Sequence, residues 1–406
     1  MTKIVVVGAG PAGVSVALLL AQRGMKVTLL EKETAFERVF RGEGLMPAGL
    51  GALYEMGLKD VYEQVSSRRL TSWDFYVGGR RRMRVVEPAR DGLATQIMDQ
   101  GALLMAIVER AKALPNFEFL PGWQVSGLLK EDQRIAGVQA SCEGEKREFR
   151  ADCVLGCDGR YSRLRKLAGL EIEQSDARFD VLWFKLPAPE SLSEETPFFA
   201  CLQPDNQFAF YPSWDGYLQI GWIVEKSRSS KQNLAMLKER DWCEVFAQAL
   251  PTELASHFRA HKADLSGPIY LDVQVGCAAQ WSLPGLMLIG DAAHPMAPNR
   301  AQGINMALRD AIVVANHFAR IGDRAISFHA LSNIQAERMP EIKAVQKMQL
   351  AEWRKVKFIS TPGLPYIGFK SIATAFGRFK FAQNIWLHEQ KGLREGVASV
   401  KLHHER

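Results

Sequence analysis

The sequence predicts an α/β fold, and three observations predict it. A β-branched strand, a glycine-punctuated turn, a helix and a second strand follow one another within residues 3–30. A buried strand ending in Gly-Asp recurs at 285–291, ahead of a long helical stretch. Between them, at 71–86 and 178–224, apolar and polar residues alternate with the period of a sheet. A chain of 406 residues is too long for one simple core, so two domains and a terminal appendage are expected.

Composition narrows the class. Apolar residues make up 47% and charged residues 24%, the balance of a water-soluble globular chain. The six cysteines, Cys142, Cys153, Cys157, Cys201, Cys243 and Cys277, follow no disulfide or metal-ligand spacing, so buried thiols and no metal are expected. No secretory leader and no run of about 18 apolar residues occurs, which gives a cytoplasmic expectation. The net charge of +6 is uneven. Residues 354–406 hold ten Lys/Arg against Glu389, Glu395 and Glu405, a surplus of seven, and the rest sums to −1. The basicity belongs to the tail, which argues against nucleic acid as a partner.

Taken in order, "KIVVV" (3–7) is a strand and "PAGVSVALLLAQR" (11–23) a helix. Gly24 closes that helix and "KVTLL" (26–30) is the second strand. "TSWDFYVGGRRRMRVV" (71–86) reads as a hairpin turning at Gly78-Gly79, its basic "GGRRRMR" (78–84) either a solvated turn or a site for a 2′-phosphate or an acidic substrate. Residues 100–113 read as helix, 117–155 as short strands, 178–224 as strands, 231–250 as helix and 303–350 as largely helix. The domains are therefore expected to interleave. One nucleotide-binding part takes 1–70, 95–175 and 270–325, a sheet domain takes 71–94 and 178–269, and 326–406 forms a C-terminal helical region.

"GAGPAG" places Gly8, Gly10 and Gly13 in a G-x-G-x-x-G between strand and helix. The first glycine permits the tight turn, the second admits a pyrophosphate, and the third allows close helix–strand packing. Glu31 ends the second strand, 18 residues after Gly13, where an acid can accept hydrogen bonds from ribose hydroxyls. This is a Rossmann-type unit for a dinucleotide with a free 2′-hydroxyl, FAD or NAD. Two later segments decide between them. "VLGCDGRYSRLRKLAG" (154–169) contains D-G-x-x-S-x-x-R, with Asp158, Gly159, Ser162 and Arg165, and "GLMLIGDAAHPMAPNRAQGINMALRDA" (285–311) carries the late Gly-Asp. With the N-terminal glycines, these resemble the three fingerprints of the single-component FAD-dependent aromatic hydroxylases, the p-hydroxybenzoate hydroxylase-like family, over roughly residues 1–350.

The resemblance implies an FAD-binding domain with Gly290 and Asp291 at the ribityl or ribose hydroxyls, and Pro298, Gly303, Ile304 and Asn305 near the isoalloxazine. It also places Arg41 of "RGEGLMP" over FAD and Gln100 beside the flavin, and adds Asp158 to the cofactor set. A helix N-terminus beside an anionic reduced flavin makes physical sense. Arg309 and Asp310, one turn later, are expected as surface and capping charges. One departure stands out: family members commonly have Gly before the Gln-Gly of this motif, where this chain has Arg300-Ala301, which predicts a stiffer or shifted loop.

The activity implied is that of an FAD-dependent monooxygenase. NAD(P)H reduces FAD, O₂ adds to give a flavin hydroperoxide, and an aromatic or other electron-rich small molecule is hydroxylated. No second G-x-G-x-x-G follows, so NAD(P)H is expected to dock transiently. Alternative readings on the same scaffold are a flavin-dependent halogenase, a polyprenyl reductase and a non-catalytic FAD-binding carrier. "WFKLP" (183–187) lacks the second tryptophan of the halogenase W-x-W-x-I-P. Trp183, Phe208, Phe210, Tyr211 and Trp222 are candidates for the wall of the substrate pocket, with Tyr211 on the opposite face from Phe208 and Phe210. His294 and Tyr211 are the candidates for proton transfer. The basic, aromatic stretch 355–387 reads either as a helix covering the FAD domain or as a peripheral membrane contact.

Overall fold

The structure, a computed structural model, describes residues 1–36, 43–89, 92–175, 179–204, 206–226, 240–322 and 324–403. Lys3–Val7 lies inside a six-stranded sheet ordered Ser282–Leu283, Leu286–Leu288, Cys153–Gly156, Lys3–Val7, Lys26–Glu31, Phe117–Pro121. All its pairings are parallel except that of the two short strands at the 282–288 edge. A parallel sheet is covered on both faces, so its inner strands Lys3–Val7 and Cys153–Gly156 are buried nearly throughout rather than alternating, while the edge strand Phe117–Pro121 stays partly exposed. The helix Pro11–Gln22 is buried from Ala12 to Ala21, because the helices Gln100–Lys112 and Gln302–Ile321 flank it while the sheet lies beneath. A helix apolar on all sides is stable only in such a position.

The second large sheet has seven strands, ordered Ser266–Leu271, Phe179–Pro187, Tyr217–Glu225, Asn206–Pro212, Pro197–Gln203, Ser72–Val77, Arg80–Val86. Ser72–Val77 and Arg80–Val86 form the predicted hairpin, and Pro197–Gln203 pairs with it in parallel. Strand alternation gives this sheet two distinct faces. Leu182, Phe184, Phe208, Phe210, Ile220 and Trp222 pack on the helices Trp242–Ala247 and Thr252–Ala260 in one aromatic core. Trp183, Phe198, Tyr211 and Gln219 lie on the other face, with Trp73 beside Phe198. Three of the five aromatic wall candidates are therefore corrected: Phe208, Phe210 and Trp222 are outer-core residues, since helices supplied by 242–260 cover their side of the sheet. Of the helix expected at 231–250, the described part begins at Trp242, and 231–239 lie outside the described residues.

The stretch 303–350 resolves into two helices, Gln302–Ile321 and Phe328–Ile359. Gly322, with φ at 58°, ends the first, and the Ser327 hydroxyl caps the second by accepting from the Ala330 N–H at 3.2 Å. Beyond them lie Leu364–Phe376 and Lys380–Glu395. The final segment straps back over Gln302–Ile321. Val397 and Ala398 N–H groups donate to Glu341, the Arg309 guanidinium donates to the Ala398 carbonyl, and His403 N–H donates to Asn316. All six cysteines are free thiols, five of them buried.

Candidate active site

The glycine turn takes the shape its three glycines predict. A Cβ on Gly8, whose φ is 101°, would stand 2.5 Å from the Cys157 carbonyl oxygen, and one on Gly13 would stand 1.8 Å from the Gly8 carbonyl oxygen. Neither position admits a side chain. A Cβ on Gly10 meets nothing within 4 Å. It points into open space at the N-terminus of Pro11–Gln22, where unpaired N–H groups and the helix dipole favour an anion. Glu31, 7% exposed, accepts from the Ala9 N–H at 2.7 Å and the Glu33 N–H at 3.1 Å, which fixes its carboxylate beside the turn.

The second and third motifs meet the first. Asp158 accepts from the Ser162 hydroxyl at 2.5 Å and from the Arg163 and Leu164 N–H groups at 2.7 and 3.0 Å, so it organises the turn after its strand. Arg165 from that turn donates to the Ala292 carbonyl at 2.8 Å and thereby ties 158–165 to the Gly-Asp turn. A Cβ on Gly290 would sit 3.1 Å from Ala12, and one on Gly303 would sit 3.5 Å from the Asp291 carboxylate. Asp291 retains 27% exposure, with Arg160 at 3.8 Å. Burial lifts its pKa above the ordinary carboxylate value, against the pull of Arg160 and His294. Gly8, Gly10, Gly13, Gly290, Asp291 and Gly303 thus converge on one crevice.

The loop before Gln302–Ile321 is where the chain departs from the family's glycine. Arg300 and Ala301 both adopt left-handed backbone, with φ of 61° and 49°. Each costs on the order of 1 kcal/mol for a residue with a Cβ. Pro298 opens this turn. The loop is held by side chains: Arg300 donates twice to Glu352, at 3.0 and 2.6 Å, and its guanidinium lies over Trp73 at 4.4 Å and Trp386 at 5.0 Å. Ile304 is nearly buried. Asn305, fully buried, accepts from the Met46 N–H at 2.9 Å and donates to the Ala301 carbonyl at 2.6 Å, and its amide reaches so close to Gly49 that no side chain fits there. Its side chain therefore fastens 44–46 to the loop. Gln100 is 9% exposed and begins Gln100–Lys112 behind the capping Asp99. Arg41 lies outside the described residues.

His294 is 1% exposed. Its Nε2 is 2.7 Å from Asp310, its ring packs on Trp281 with centroids 4.9 Å apart, and its Nδ1 has no partner. It lies under the loop rather than in the crevice. Arg309 and Asp310 correct the expectation of surface and capping charges, because Phe328–Ile359 and the C-terminal strap cover them. Asp310 accepts from Gly290 N–H at 3.0 Å and from Arg338 Nε at 2.7 Å, while Arg309 and Arg338 both donate to Glu341. The cations and His294 hold the Asp310 carboxyl at about 2, below its usual 3.8, despite burial that opposes ionisation.

One residue of the crevice was not singled out from the sequence. Glu43, beside Arg41 in the quoted "RGEG", is 7% exposed and accepts from the Ser213 hydroxyl at 2.6 Å and from Gln219 Nε2 at 2.9 Å. Gln219 projects from the inner face of the seven-stranded sheet, and Ser213 follows its strand Asn206–Pro212. The neighbouring segment runs against the strained loop, since a Cβ on Gly44 would come within 2.9 Å of Ala301 Cβ. Burial pushes the Glu43 carboxyl up to about 7. Asp215 adds to that rise, and Ser213, Lys185 and Gln219 oppose it. Tyr211, stacked on Phe198 with centroids 5.8 Å apart, is held protonated by burial and by Glu43 and Asp215.

Fold and site together define a dinucleotide-dependent oxidoreductase whose cofactor cradle opens towards a sheet that holds the buried Glu43 through Gln219. Residues 1–348 match the family described as FAD binding domain, and the chain belongs to that family. It is 34% identical over 368 residues to the 6-methylpretetramide 4-monooxygenase of Streptomyces rimosus, a match spanning 87% of this chain and 84% of that one. To the 6-hydroxynicotinate 3-monooxygenase of Bordetella bronchiseptica it is 26% identical over 363 residues, spanning 84% and 90%. The crystal structure of p-nitrophenol 4-monooxygenase from Pseudomonas putida shares the fold, with a TM-score of 0.80 over 97% of this chain and 99% of that one, at 20% identity. The protein is an FAD-dependent monooxygenase. Its residues fit that cofactor: the open side of Gly10 leaves room for a pyrophosphate, and the partly exposed Asp291 faces the same space as Gly303.

Proposed function

We propose that the protein hydroxylates a phenolic or similarly electron-rich aromatic molecule, using O₂ and a reduced nicotinamide, in the crevice between the glycine turn and the inner face of the seven-stranded sheet. The substrates in its relatives' names, 6-methylpretetramide and 6-hydroxynicotinate, support this class. FAD, when bound, supplies the oxygen-activating redox chemistry. The remaining work falls to the chain. Gly8, Gly10 and Gly13 would receive the pyrophosphate with the helix N-terminus, Glu31 and Asp291 would accept from sugar and ribityl hydroxyls, and the Pro298–Asn305 region and Gln100 would hold the ring; the family resemblance adds Arg41 to this set. Phe198 and Tyr211 exclude water from the sheet side.

The observation that carries the reading is Glu43, a buried carboxylate facing Ser213 and Gln219 at the crevice. A phenol reacts as an electron-rich ring when it has lost its proton, and Glu43 is the acceptor for it. Its pKa near 7 matches a general base at neutral pH. The sign follows. Below 7 the carboxyl is protonated and cannot accept, so kcat/KM rises as pH passes upward through that value.

Glu43→Gln is expected to lower kcat/KM by about 100-fold at neutral pH and to remove this rise, while flavin content stays unchanged. A variant that keeps the wild-type pH profile at a uniformly reduced rate overturns the assignment. For the reaction itself, NADH and NADPH oxidation is followed against a panel of phenols and polycyclic aromatics with product mass spectrometry. One added oxygen atom in a product is the expected result, and reductant consumed only to hydrogen peroxide across the panel counts against it.

A further inference from the structure

The helix Leu364–Phe376 is mostly apolar, yet none of its residues is buried. It rests on Phe328–Ile359 and Arg80–Val86 through a narrow half-buried stripe that includes Tyr366, Phe369 and Lys370. Its seat is fixed. Gly377, at its end, lies so close to the Arg82 carbonyl that a Cβ there would stand 2.4 Å from the oxygen, while Tyr366 and Lys370 abut Gly78 of the hairpin turn. The other side of the helix therefore points outward in a defined position. It presents Leu364 at 85% exposure, Ile367 at 58%, Ile372 at 60% and Phe376 at 49%, and the adjoining Lys380–Glu395 continues the patch with Phe381 and Ile385. Large apolar side chains gathered this way on a water-facing surface mark an interaction face.

Charge selects the occupant. No Asp or Glu occurs between Glu352 and Glu389, while exposed Arg378 and Lys380 fall within the patch and half-buried Lys370 lies at its margin. Arg80, exposed on the hairpin that Lys370 touches, adds a further cation. A second copy meeting this face about a two-fold axis would set these cations against themselves. An anionic bilayer satisfies both features, with acyl chains for the apolar groups and headgroup phosphates for the cations. The same helix pair adjoins the catalytic crevice: Trp386 packs on Trp73 and Phe75, at 5.6 and 5.3 Å, and Arg300 of the strained loop lies over it.

We propose that the outward face of Leu364–Phe376 and Lys380–Glu395 docks on the surface of an anionic lipid bilayer. Among the described residues no helix is long and apolar enough to cross a membrane, so the contact is peripheral. The test is co-sedimentation of the full-length FAD-loaded protein with vesicles of phosphatidylcholine alone, or with one part phosphatidylglycerol to three of phosphatidylcholine. The wild type is expected to sediment with the anionic vesicles at low salt and to be released by high salt. The variant carrying Ile367→Ser, Ile372→Ser and Phe376→Ser is expected to stay in solution. The variant carrying Lys370→Glu, Arg378→Glu and Lys380→Glu is expected to lose roughly 100-fold in partitioning to anionic vesicles. All substituted side chains lie on the surface or its margin, and retained flavin absorbance verifies the fold. Failure of the wild type to bind anionic vesicles at low salt, or binding unaltered by the serine substitutions, overturns the proposal. A dimer in sedimentation velocity that the serine substitutions disperse assigns the face to a second copy instead, and also overturns it.

Discussion

Gly10→Val yields a folded protein that fails to retain FAD, whereas Gly13→Ala, the chemically smaller change, destabilises the fold itself. The contrast follows from where each new Cβ goes. Gly10 has ordinary extended backbone, with φ at −76°, and its Cβ meets no atom within 4 Å. Valine is tolerated by the backbone there but fills the space in front of the N–H groups proposed to receive a pyrophosphate. Affinity for FAD should fall about 100-fold or more, equivalent to roughly 3 kcal/mol. At Gly13 a Cβ would stand 1.8 Å from the Gly8 carbonyl oxygen, and Gly8 is itself held against the Cys157 carbonyl. The helix Pro11–Gln22 must lift off its strand, at a cost of about 3 kcal/mol or more, the upper end for overpacked cores. Visible flavin absorbance after desalting and thermal unfolding by circular dichroism separate the two effects. Equal losses of stability in both variants would contradict the assignment.

The second large effect concerns Arg338. Arg338→Met is expected to cost about 3–5 kcal/mol, the range for breaking a buried ion pair by removing one partner. The guanidinium is 1% exposed and bridges Asp310 and Glu341, themselves buried beneath the C-terminal strap. Without it, Arg309, His294 and the backbone N–H groups of Gly290, Val397 and Ala398 are left to hold the two carboxylates. The folded pKa of Asp310, about 2, lies below its unfolded 3.8. The stability this difference contributes, roughly 2 kcal/mol, is fully present above the unfolded value and is lost as pH falls through about 2. In the variant the Asp310 carboxyl rises, so acid unfolding begins at a higher pH. Because Asp310 also holds the Gly290 N–H, flavin retention should weaken in parallel. Urea titration across the acid range measures the first effect. A loss under about 1 kcal/mol would show that the pair is dispensable.

What the sequence disclosed depended on how local each cause is. The shape of the turn at Gly8, Gly10 and Gly13 is written into a strand, a turn and a helix contiguous in sequence, and it could be read without any distant partner. The alternation that separates Tyr211 from Phe208 and Phe210 was equally legible. Which side faced the crevice was not, because helices from 242–260 cover one face. Arg309 and Asp310 look like ordinary helix-surface charges until Arg338 and Glu341, about thirty residues later, bury them. Glu43 stood in the quoted "RGEG" beside Arg41. Its signal depends on Ser213 and Gln219, more than 160 residues away.

The interleaved topology has a consequence during synthesis. The glycine turn leaves the ribosome before the strands that flank its own, Lys26–Glu31 and Cys153–Gly156, and Leu286–Leu288 joins later still. The loop that flanks the crevice then waits for Trp386, and Glu87 for Arg394, 307 residues downstream. Closing such long loops is slow and comes late. A nascent chain therefore exposes the apolar edges of an unfinished parallel sheet until Leu286–Leu288 has emerged, and the crevice is completed later still. Chains truncated before the last helix should be recovered in aggregates rather than as apoprotein.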